Sequence, residues 1–147
     1  MLAATKITRS KLPSIVQAAF DGDTELIEKY HVVNTCLADC VKDTVERIEQ
    51  ASQTYTLRCF AVAEGKEDAG FIVVGDDFLY SFGLNAKYRS KGNLQQFWAL
   101  VTGVLPANFF SVMNFKNTRA VKFLERNKMK IIHQTQSDIT LIYTPCR

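Results

Sequence analysis

Two strand-like segments joined by a helical segment constrain this fold more than any other part of the sequence. Phe78 to Leu84 is rich in aromatic and apolar residues, and Phe109 to Met113 has the same character. Between them lie a basic loop, Asn85 to Gly92, and a segment from about Asn93 to Val104 with apolar residues at helical spacing. A strand, a helix and a second strand predict a crossover connection, so the two strands should lie parallel in one sheet.

Other segments predict further strands of the same sheet. They are rich in β-branched or aromatic residues and run from Ala4 to Thr8, Thr54 to Ala63, Ala69 to Val74, Lys130 to Thr135 and Ile139 to Thr144. The polar connections Glu64 to Asp68 and Gly75 to Asp77 are short enough for hairpins, so the strands they join should pair antiparallel. The pattern predicts a mixed, mostly antiparallel sheet of six to seven strands.

Helical segments are predicted on both sides of these strands. They run from Ser10 to Phe20, from Asp23 or Thr24 to Tyr30, from Asn34 or Thr35 to Gln50, and from Asn117 to Arg126. Ser10 and Asn117 are suited to cap helices, and Asn127 tolerates the left-handed geometry that ends one. The main elements follow the order β-α-α-β-β-β-α-β-α-β-β, an α+β fold. No linker or repeat interrupts them, so residues 1–147 are predicted to form a single domain.

The composition is typical of a globular chain in a reducing compartment. Hydrophobic residues make up 47% of the 147 residues, enough for a core, and no apolar run is long enough to span a membrane. Met1 to Ser10 lacks the apolar core of a secretory signal. The four cysteines show no framework spacing, so we expect reduced, mostly buried thiols rather than a disulfide or metal site. A cytoplasmic location follows as an expectation.

Charge is distributed unevenly along the chain. Residues 1–86 carry 8 Lys or Arg and 13 Asp or Glu, whereas residues 87–147 carry 10 and 2. The basic second half contains the loop from Asn85 to Gly92. One interpretation is an anion-binding surface for phosphates or nucleic acid. The other is a solvated helix face, because Arg119, Lys122 and Arg126 recur at helical spacing.

The loop at Tyr88 to Asn93 has the features of a phosphate-binding turn. It leads from a predicted strand into a helix N-terminus, where unpaired N–H groups and the helix dipole attract anions. Arg89 and Lys91 add positive charge, and Gly92 allows close approach of a ligand. The alternative is that Gly92 only opens the helix and Arg89 is an ordinary surface cation.

In the order of its elements, and in this loop, the chain resembles the GCN5-related N-acetyltransferase (GNAT) family. The family's loop has Gln or Arg, two residues, Gly, one residue, then Gly or Ala. Arg89 and Gly92 match, and Leu94 stands where the last small residue is found. The resemblance implies acetyl-CoA as the cofactor, held by its pyrophosphate. The cofactor-binding residues that it implies are Arg89, Ser90, Lys91, Gly92, Asn93, Leu94 and Asn117.

A second family motif is matched only in part. Asn117 and Ala120 match its Asn and Ala, but Leu124 occupies the position of its tyrosine and Lys128 that of its glycine. In the family that tyrosine protonates the departing thiolate, and leucine has no proton to give. The alternatives are that Asn117 is only a helix cap and that Leu124 is a core residue.

The catalytic residues are not identified by the sequence. The family often places a carboxylate on the strand before the phosphate loop as the general base, and Phe78 to Leu84 contains none. Asp76 and Asp77 are explained by turn formation. Tyr88, Tyr80 and Ser81 are the remaining polar candidates for proton transfer, with Tyr88 nearest the loop, and no metal site is predicted.

Three functions are compatible with these observations. The first is a virion or assembly component with weak or no catalysis, because the Phe-Leu pair at 123–124 resembles short acetyltransferase-like proteins of tailed bacteriophages. This function predicts protein partners and incorporation into a virion. The second is an active enzyme that transfers an acetyl group from acetyl-CoA to a primary amine. The third is nucleic-acid binding. It is disfavoured because Phe115 and Tyr88 are the only aromatic residues near the basic charges in the sequence, too few to stack against several bases.

Overall fold

Seven strands form one mixed sheet in the computed structural model, which describes residues 1–26 and 36–145. The strands are β1 (Leu2–Ile7), β2 (Arg58–Glu64), β3 (Glu67–Val74), β4 (Phe78–Leu84), β5 (Phe109–Asn114), β6 (Lys130–Gln134) and β7 (Asp138–Tyr143). Their spatial order is β1-β2-β3-β4-β5-β7-β6, and every neighbouring pair except β4 and β5 is antiparallel. The predicted fold class is confirmed.

Four α-helices lie in the described parts of the chain. They are α1 (Leu12–Phe20), α2 (Leu37–Ala51), α3 (Lys91–Gly103) and α4 (Thr118–Arg126). The short helix predicted to reach Tyr30, and the caps predicted at Asn34 or Thr35, lie largely or wholly outside the described residues. The order of the main elements agrees with the prediction.

Helices cover both faces of the sheet, and β3 shows this by alternation. Ile72 and Val74 belong to the core that α3 and α4 cover, whereas Phe71 and Val73 belong to the core under α1 and α2. Successive strand residues point to opposite faces, so the two cores are separated by the sheet. β3 is buried on both faces from Ala69 onward, as its continuous apolar run predicts.

Two predicted boundaries at the beginning of the chain are wrong. Ser10 does not cap α1; it lies in a 3-10 turn, Arg9–Lys11, and α1 begins at Leu12 with Pro13 in its first turn. The second strand begins at Arg58 rather than Thr54, because residues 52–55 bond back to the end of α2 and continue as turns. β-Branched and aromatic residues at 54–56 favour a strand locally, but the tertiary structure overrides that preference.

The boundary between the basic loop and α3 is also shifted. The helix begins at Lys91, two residues before the predicted start, and Ser90 is its N-cap. The Ser90 hydroxyl accepts a hydrogen bond from the Asn93 N–H at 3.3 Å, as expected of a serine cap. Gly92 therefore lies in the first helical turn and not in the loop before it.

Lys128, rather than Asn127, takes the left-handed conformation that ends α4. Asn127 has φ −95° and Lys128 has φ 70°. The Lys128 N–H donates to the Glu125 carbonyl at 3.0 Å, and the Met129 N–H donates to the Leu124 carbonyl at 3.1 Å. This bonding pattern is a Schellman motif, which places its left-handed residue one position after the C-cap.

Replacing Lys128 with glycine should therefore stabilise the protein. A residue with a Cβ is strained at φ 70°, so Lys128→Gly should raise the free energy of unfolding by about 1 kcal/mol. Chemical denaturation followed by circular dichroism measures this difference. Lys130→Gly is the matched control: Lys130 is equally exposed but lies in β6, where glycine should destabilise. Equal effects of the two substitutions would contradict the assignment of strain to Lys128.

Three of the four cysteines lie in the described part of the chain. Cys40 and Cys59 are buried, Cys36 is exposed, and Cys146 lies outside the described residues. Within the same residues, the helices are too short or too polar to cross a bilayer. That part of the chain also contains no group of three or more His, Cys, Asp or Glu placed to hold a metal ion.

Candidate functional site

The parallel strands β4 and β5 separate soon after they meet. Only Phe78 with Phe110 and Leu79 with Ser111 form pairs, although β4 continues to Leu84 and β5 to Asn114. Where the strands part, the buried Ser111 hydroxyl donates a hydrogen bond to the Leu79 carbonyl at 2.8 Å. A side chain thus satisfies a carbonyl at the position where the main-chain ladder ends.

A cleft of about 520 Å³ occupies this divergence. Its walls include Phe20 and Ile48 from the face of α1 and α2, and Phe97 and Phe123 from the face of α3 and α4. The cleft therefore passes through the sheet between its two faces. Four arginines line it: Arg47, Arg89, Arg119 and Arg126.

The edge of β4 that faces the cleft has main-chain groups without a strand partner. The Asn85 N–H donates to the Ala69 carbonyl of β3, whereas the Leu84 carbonyl accepts from Arg89 Nε at 2.8 Å. Main-chain groups alternate along an antiparallel pair, so the N–H and C=O of Phe82 point to the same side as the Leu84 carbonyl. An oriented N–H at this position is suited to polarise a carbonyl group.

The N-terminus of α3 has two features of an anion site, namely N–H groups without a helical acceptor and open space beside Gly92. The N–H groups of Asn93 and Leu94 bond to Ser90, but those of Lys91 and Gly92 precede the first intrahelical acceptor. A Cβ built on Gly92 would meet no atom within 4 Å, so space is open beside this amide. The available main-chain donors are therefore the N–H groups of Lys91 and Gly92.

Arg89 is held in place by bonds within the protein. Its Nη2 donates to Asp23 Oδ2 at 2.9 Å, in addition to the bond from Nε to Leu84. Arg119 forms a two-pronged pair with the same carboxylate, with distances of 3.1 Å to Oδ1 and 2.8 Å to Oδ2. Asp23 is 3% exposed, so a buried carboxylate lies between two arginines.

The charge of Asp23 is stabilised by these partners. Burial alone would raise the pKa of Asp23, but hydrogen bonds from Arg119 and Arg89, with the attraction of both guanidinium groups, outweigh it and lower the pKa. Asp23 was predicted only as the start of a helix, and Arg119 as part of a basic face. The partners of Asp23 lie 66 and 96 residues away in sequence, so no local pattern could have revealed them.

The two candidate tyrosines lie in different places. Tyr80 lines the cleft, and its hydroxyl donates to the Arg47 carbonyl at 3.3 Å; burial raises the pKa of this phenol. Tyr88 is not among the cleft residues, and a hydrogen bond with Glu67 raises its pKa. Tyr80 is thus the one of the two that is placed to contact a ligand in the cleft.

Three residues at positions of the two family motifs have structural roles, whether or not they match the motif. Leu124 is fully buried and belongs to the core between α4 and the sheet. Leu94 lines the cleft and also packs against that core, so its side chain takes up part of the cleft near the N-terminus of α3. Asn117 caps α4 by accepting a hydrogen bond from the Ala120 N–H at 3.3 Å, and it also lines the cleft. Capping and ligand contact are therefore compatible for Asn117.

Comparison with known proteins identifies the fold. An acetyltransferase from Thermus thermophilus is similar over 97% of this chain and 96% of its own, with a TM-score of 0.67 and 15% identity. The PaiA N-acetyltransferase from Thermoplasma acidophilum, in complex with coenzyme A, covers 99% of each chain with a TM-score of 0.66 and 12% identity. A GNAT-family acetyltransferase from Bacillus cereus ATCC 10987 covers 100% and 99%, with a TM-score of 0.61 and 18% identity.

These similarities lie in structure and not in sequence. No protein-family model matches the sequence, and no curated protein matches it significantly. At 12–18% identity the solved structures show the fold alone. The described residues thus form a GNAT-like acetyltransferase fold, as the resemblance implied.

Proposed function

We propose that this protein binds acyl-CoA in the cleft between β4 and β5 and that it transfers the acyl group weakly or not at all. The separation of these strands after the pair Leu79 and Ser111 carries the proposal. It opens a cleft lined by Arg89 and Leu94, which lie on either side of Lys91 and Gly92 in the chain, and the amides of these two residues would bind the pyrophosphate. Acyl-CoA, when bound, supplies an activated thioester.

The residues of the cleft fit such a cofactor. Four arginines give the cleft a positive lining, and aromatic side chains provide apolar contact for the uncharged arm of the cofactor. The Phe82 N–H is oriented toward the cleft, where it would bind a thioester carbonyl. Coenzyme A in the complex of the structurally similar PaiA protein supports this choice of ligand.

Weak or absent catalysis follows from the proton-transfer groups. Leu124 is in the core and has no proton to donate, and β4 from Phe78 to Leu84 contains no carboxylate to accept one. The two carboxylates that line the cleft lie on other elements, Asp43 on α2 in an ion pair with Arg47 and Asp138 on β7. Loss of a positioned acid or base typically slows a reaction by about 10²–10⁴-fold. Two residues of β4 with hydroxyl groups, Tyr80 and Ser81, line the cleft, and we propose the more acidic phenol of Tyr80 as the residual donor.

The cofactor proposal predicts that Gly92→Glu weakens CoA binding without harming the fold. A carboxylate at the first turn of α3 would repel the pyrophosphate, so the dissociation constant should rise at least about tenfold. Space is open at this position, and an acidic residue at a helix N-terminus is stabilising. Isothermal titration calorimetry with acetyl-CoA measures the affinity, and thermal denaturation measures the stability.

Gly103→Glu is the matched control. Gly103 ends the same helix, and a Cβ there also meets no atom within 4 Å. Both substitutions add one negative charge to α3, but only the first adds it beside the proposed site. Equal loss of affinity in the two variants, or no heat of binding with the wild-type protein at millimolar ligand, would refute the proposal.

A role as a structural component of a bacteriophage particle is the second candidate. One observation favours it: β6 lies at the outer edge of the sheet and exposes Ile132, which is 59% exposed. An uncovered strand edge is suited to pair with another chain. The purified protein should then form a stable complex of higher mass in light scattering. A monomer that turns over a thioester would contradict this role and favour the active N-acetyltransferase.

A further inference from the structure

We infer that Asp23 is a positioning residue for anion binding, which holds Arg89 and Arg119 on the wall of the cleft as a paired site for a pyrophosphate group. This inference rests on the proposed function, because it assigns further contacts to the same cofactor. Arg89 belongs to the phosphate loop by sequence, but Asp23 and Arg119 are brought to it by the fold.

The position of the three residues relative to the cleft supports a positioning role. Both arginines line the cleft, whereas Asp23 is not among its lining residues and is 3% exposed. The side chains of Arg89 and Arg119 are 25% and 28% exposed. The carboxylate is therefore behind the two guanidinium groups, and the guanidinium groups lie between it and any ligand.

The bonding geometry fixes the direction of each guanidinium group. Arg119 approaches Asp23 with two nitrogens, a planar arrangement that restricts its rotation. Arg89 is fixed at two points, the Asp23 carboxylate and the Leu84 carbonyl, and the latter belongs to the cleft edge of β4. Side chains fixed before a ligand arrives lose less conformational entropy when it binds.

The charges of the cluster favour an anion on the cleft side. Two guanidinium groups share one buried carboxylate, and the four arginines that line the cleft outnumber its two lining aspartates, Asp43 and Asp138. Glu25 lies 3.9 Å from Arg119, but it is 46% exposed, so solvent screens its charge. A pyrophosphate group has the size and charge to contact two arginines at once.

Asp23→Asn distinguishes a positioning role from a purely electrostatic or purely structural one. The substitution removes one negative charge, so charge alone predicts tighter binding of anions. A structural role alone predicts lower stability with unchanged affinity of the folded protein. The positioning role predicts weaker binding, by about tenfold, of both CoA and inorganic pyrophosphate. Titration calorimetry well below the unfolding midpoint measures these affinities; unchanged or tighter binding overturns the inference.

Arg119→Gln tests the same site if Asp23→Asn fails to fold. Lys122→Gln is its matched control, because Lys122 is exposed on the same helix and does not line the cleft. Each substitution removes one positive charge from α4, yet only Arg119→Gln should weaken binding by about tenfold, and Lys122→Gln should change it by less than about twofold. Similar effects of the two overturn the inference.

The choice of ligands separates this inference from the proposed function. A wild-type protein that binds pyrophosphate but not CoA, with affinity lost in Arg119→Gln, supports the arginine pair and refutes the cofactor. A wild-type protein that binds CoA, with affinity retained in Asp23→Asn and Arg119→Gln, refutes the arginine pair alone. Binding of neither ligand by the wild-type protein overturns both.

Discussion

Gly70→Ala should destabilise the protein by about 3 kcal/mol, since the added methyl group would collide with the backbone of the neighbouring strand. A Cβ on Gly70 would lie 2.2 Å from the Gly83 carbonyl oxygen and 3.2 Å from the Leu84 Cα. These are main-chain atoms of β4, so no side chain can rotate away to relieve the contact. β3 and β4 would have to separate locally, which breaks hydrogen bonds in the centre of the sheet.

Two other glycine substitutions provide a graded comparison. A Cβ on Gly83 would lie 2.7 Å from the Phe71 ring, which can tilt, so Gly83→Ala should cost less than Gly70→Ala. Gly103→Ala meets no atom within 4 Å and lies in α3, where alanine should stabilise by up to about 1 kcal/mol. Urea denaturation of the three variants gives the order. If the Gly70→Ala variant were as stable as the wild type, β3 and β4 would have to be farther apart than the structure indicates.

Asp23→Ala should be the second severe substitution, with a cost of about 3–5 kcal/mol near neutral pH. It leaves Arg89 and Arg119 close together and partly buried without the carboxylate that both contact. Asp21→Ala is the matched control, because Asp21 lies two residues earlier and is exposed. We expect a change within about 0.5 kcal/mol there. Urea denaturation at neutral pH measures both.

The effect of Asp23→Ala should depend on pH in a defined direction. The folded protein lowers the pKa of Asp23 below its ordinary value of 3.8, so the stabilisation is fully present above that value. It is lost as the pH falls through the lowered pKa, when the carboxylate takes up a proton. The difference in unfolding free energy between wild type and Asp23→Ala should therefore shrink in acid. A difference that grows on acidification would contradict the assigned direction.

The sequence was sufficient for features that depend on neighbouring residues. The strand from Phe78 to Leu84 and the helix capped by Asn117 have the predicted bounds, since aromatic and apolar content and helix caps are local signals. The parallel pairing of β4 with β5 also followed, because a single helix between two neighbouring strands favours a crossover connection. These elements establish the divergent strands and hence the location of the cleft.

Features that depend on distant contacts could not be read from the sequence. The burial of Asp23 needs Arg89 and Arg119, which only the folded chain brings together. The left-handed residue after α4 was misassigned because asparagine is the better intrinsic candidate. Burial of Met129 against Leu124 instead fixes the chain so that Lys128 takes that position. In both places, tertiary packing determines a conformation that local preference does not.

α2 and α4 cover opposite faces of the sheet, and they carry net charges of opposite sign. α2 carries four carboxylates and two basic residues, whereas α4 carries three basic residues and one carboxylate. The excess negative charge of α2 and the excess positive charge of α4 lie on opposite faces, so the two helices produce an electric dipole moment directed across the sheet. Near a highly negative molecule this moment exerts a torque, which turns the α4 side forward before any contact forms. Encounters with such molecules therefore begin already oriented, and added salt should remove that advantage.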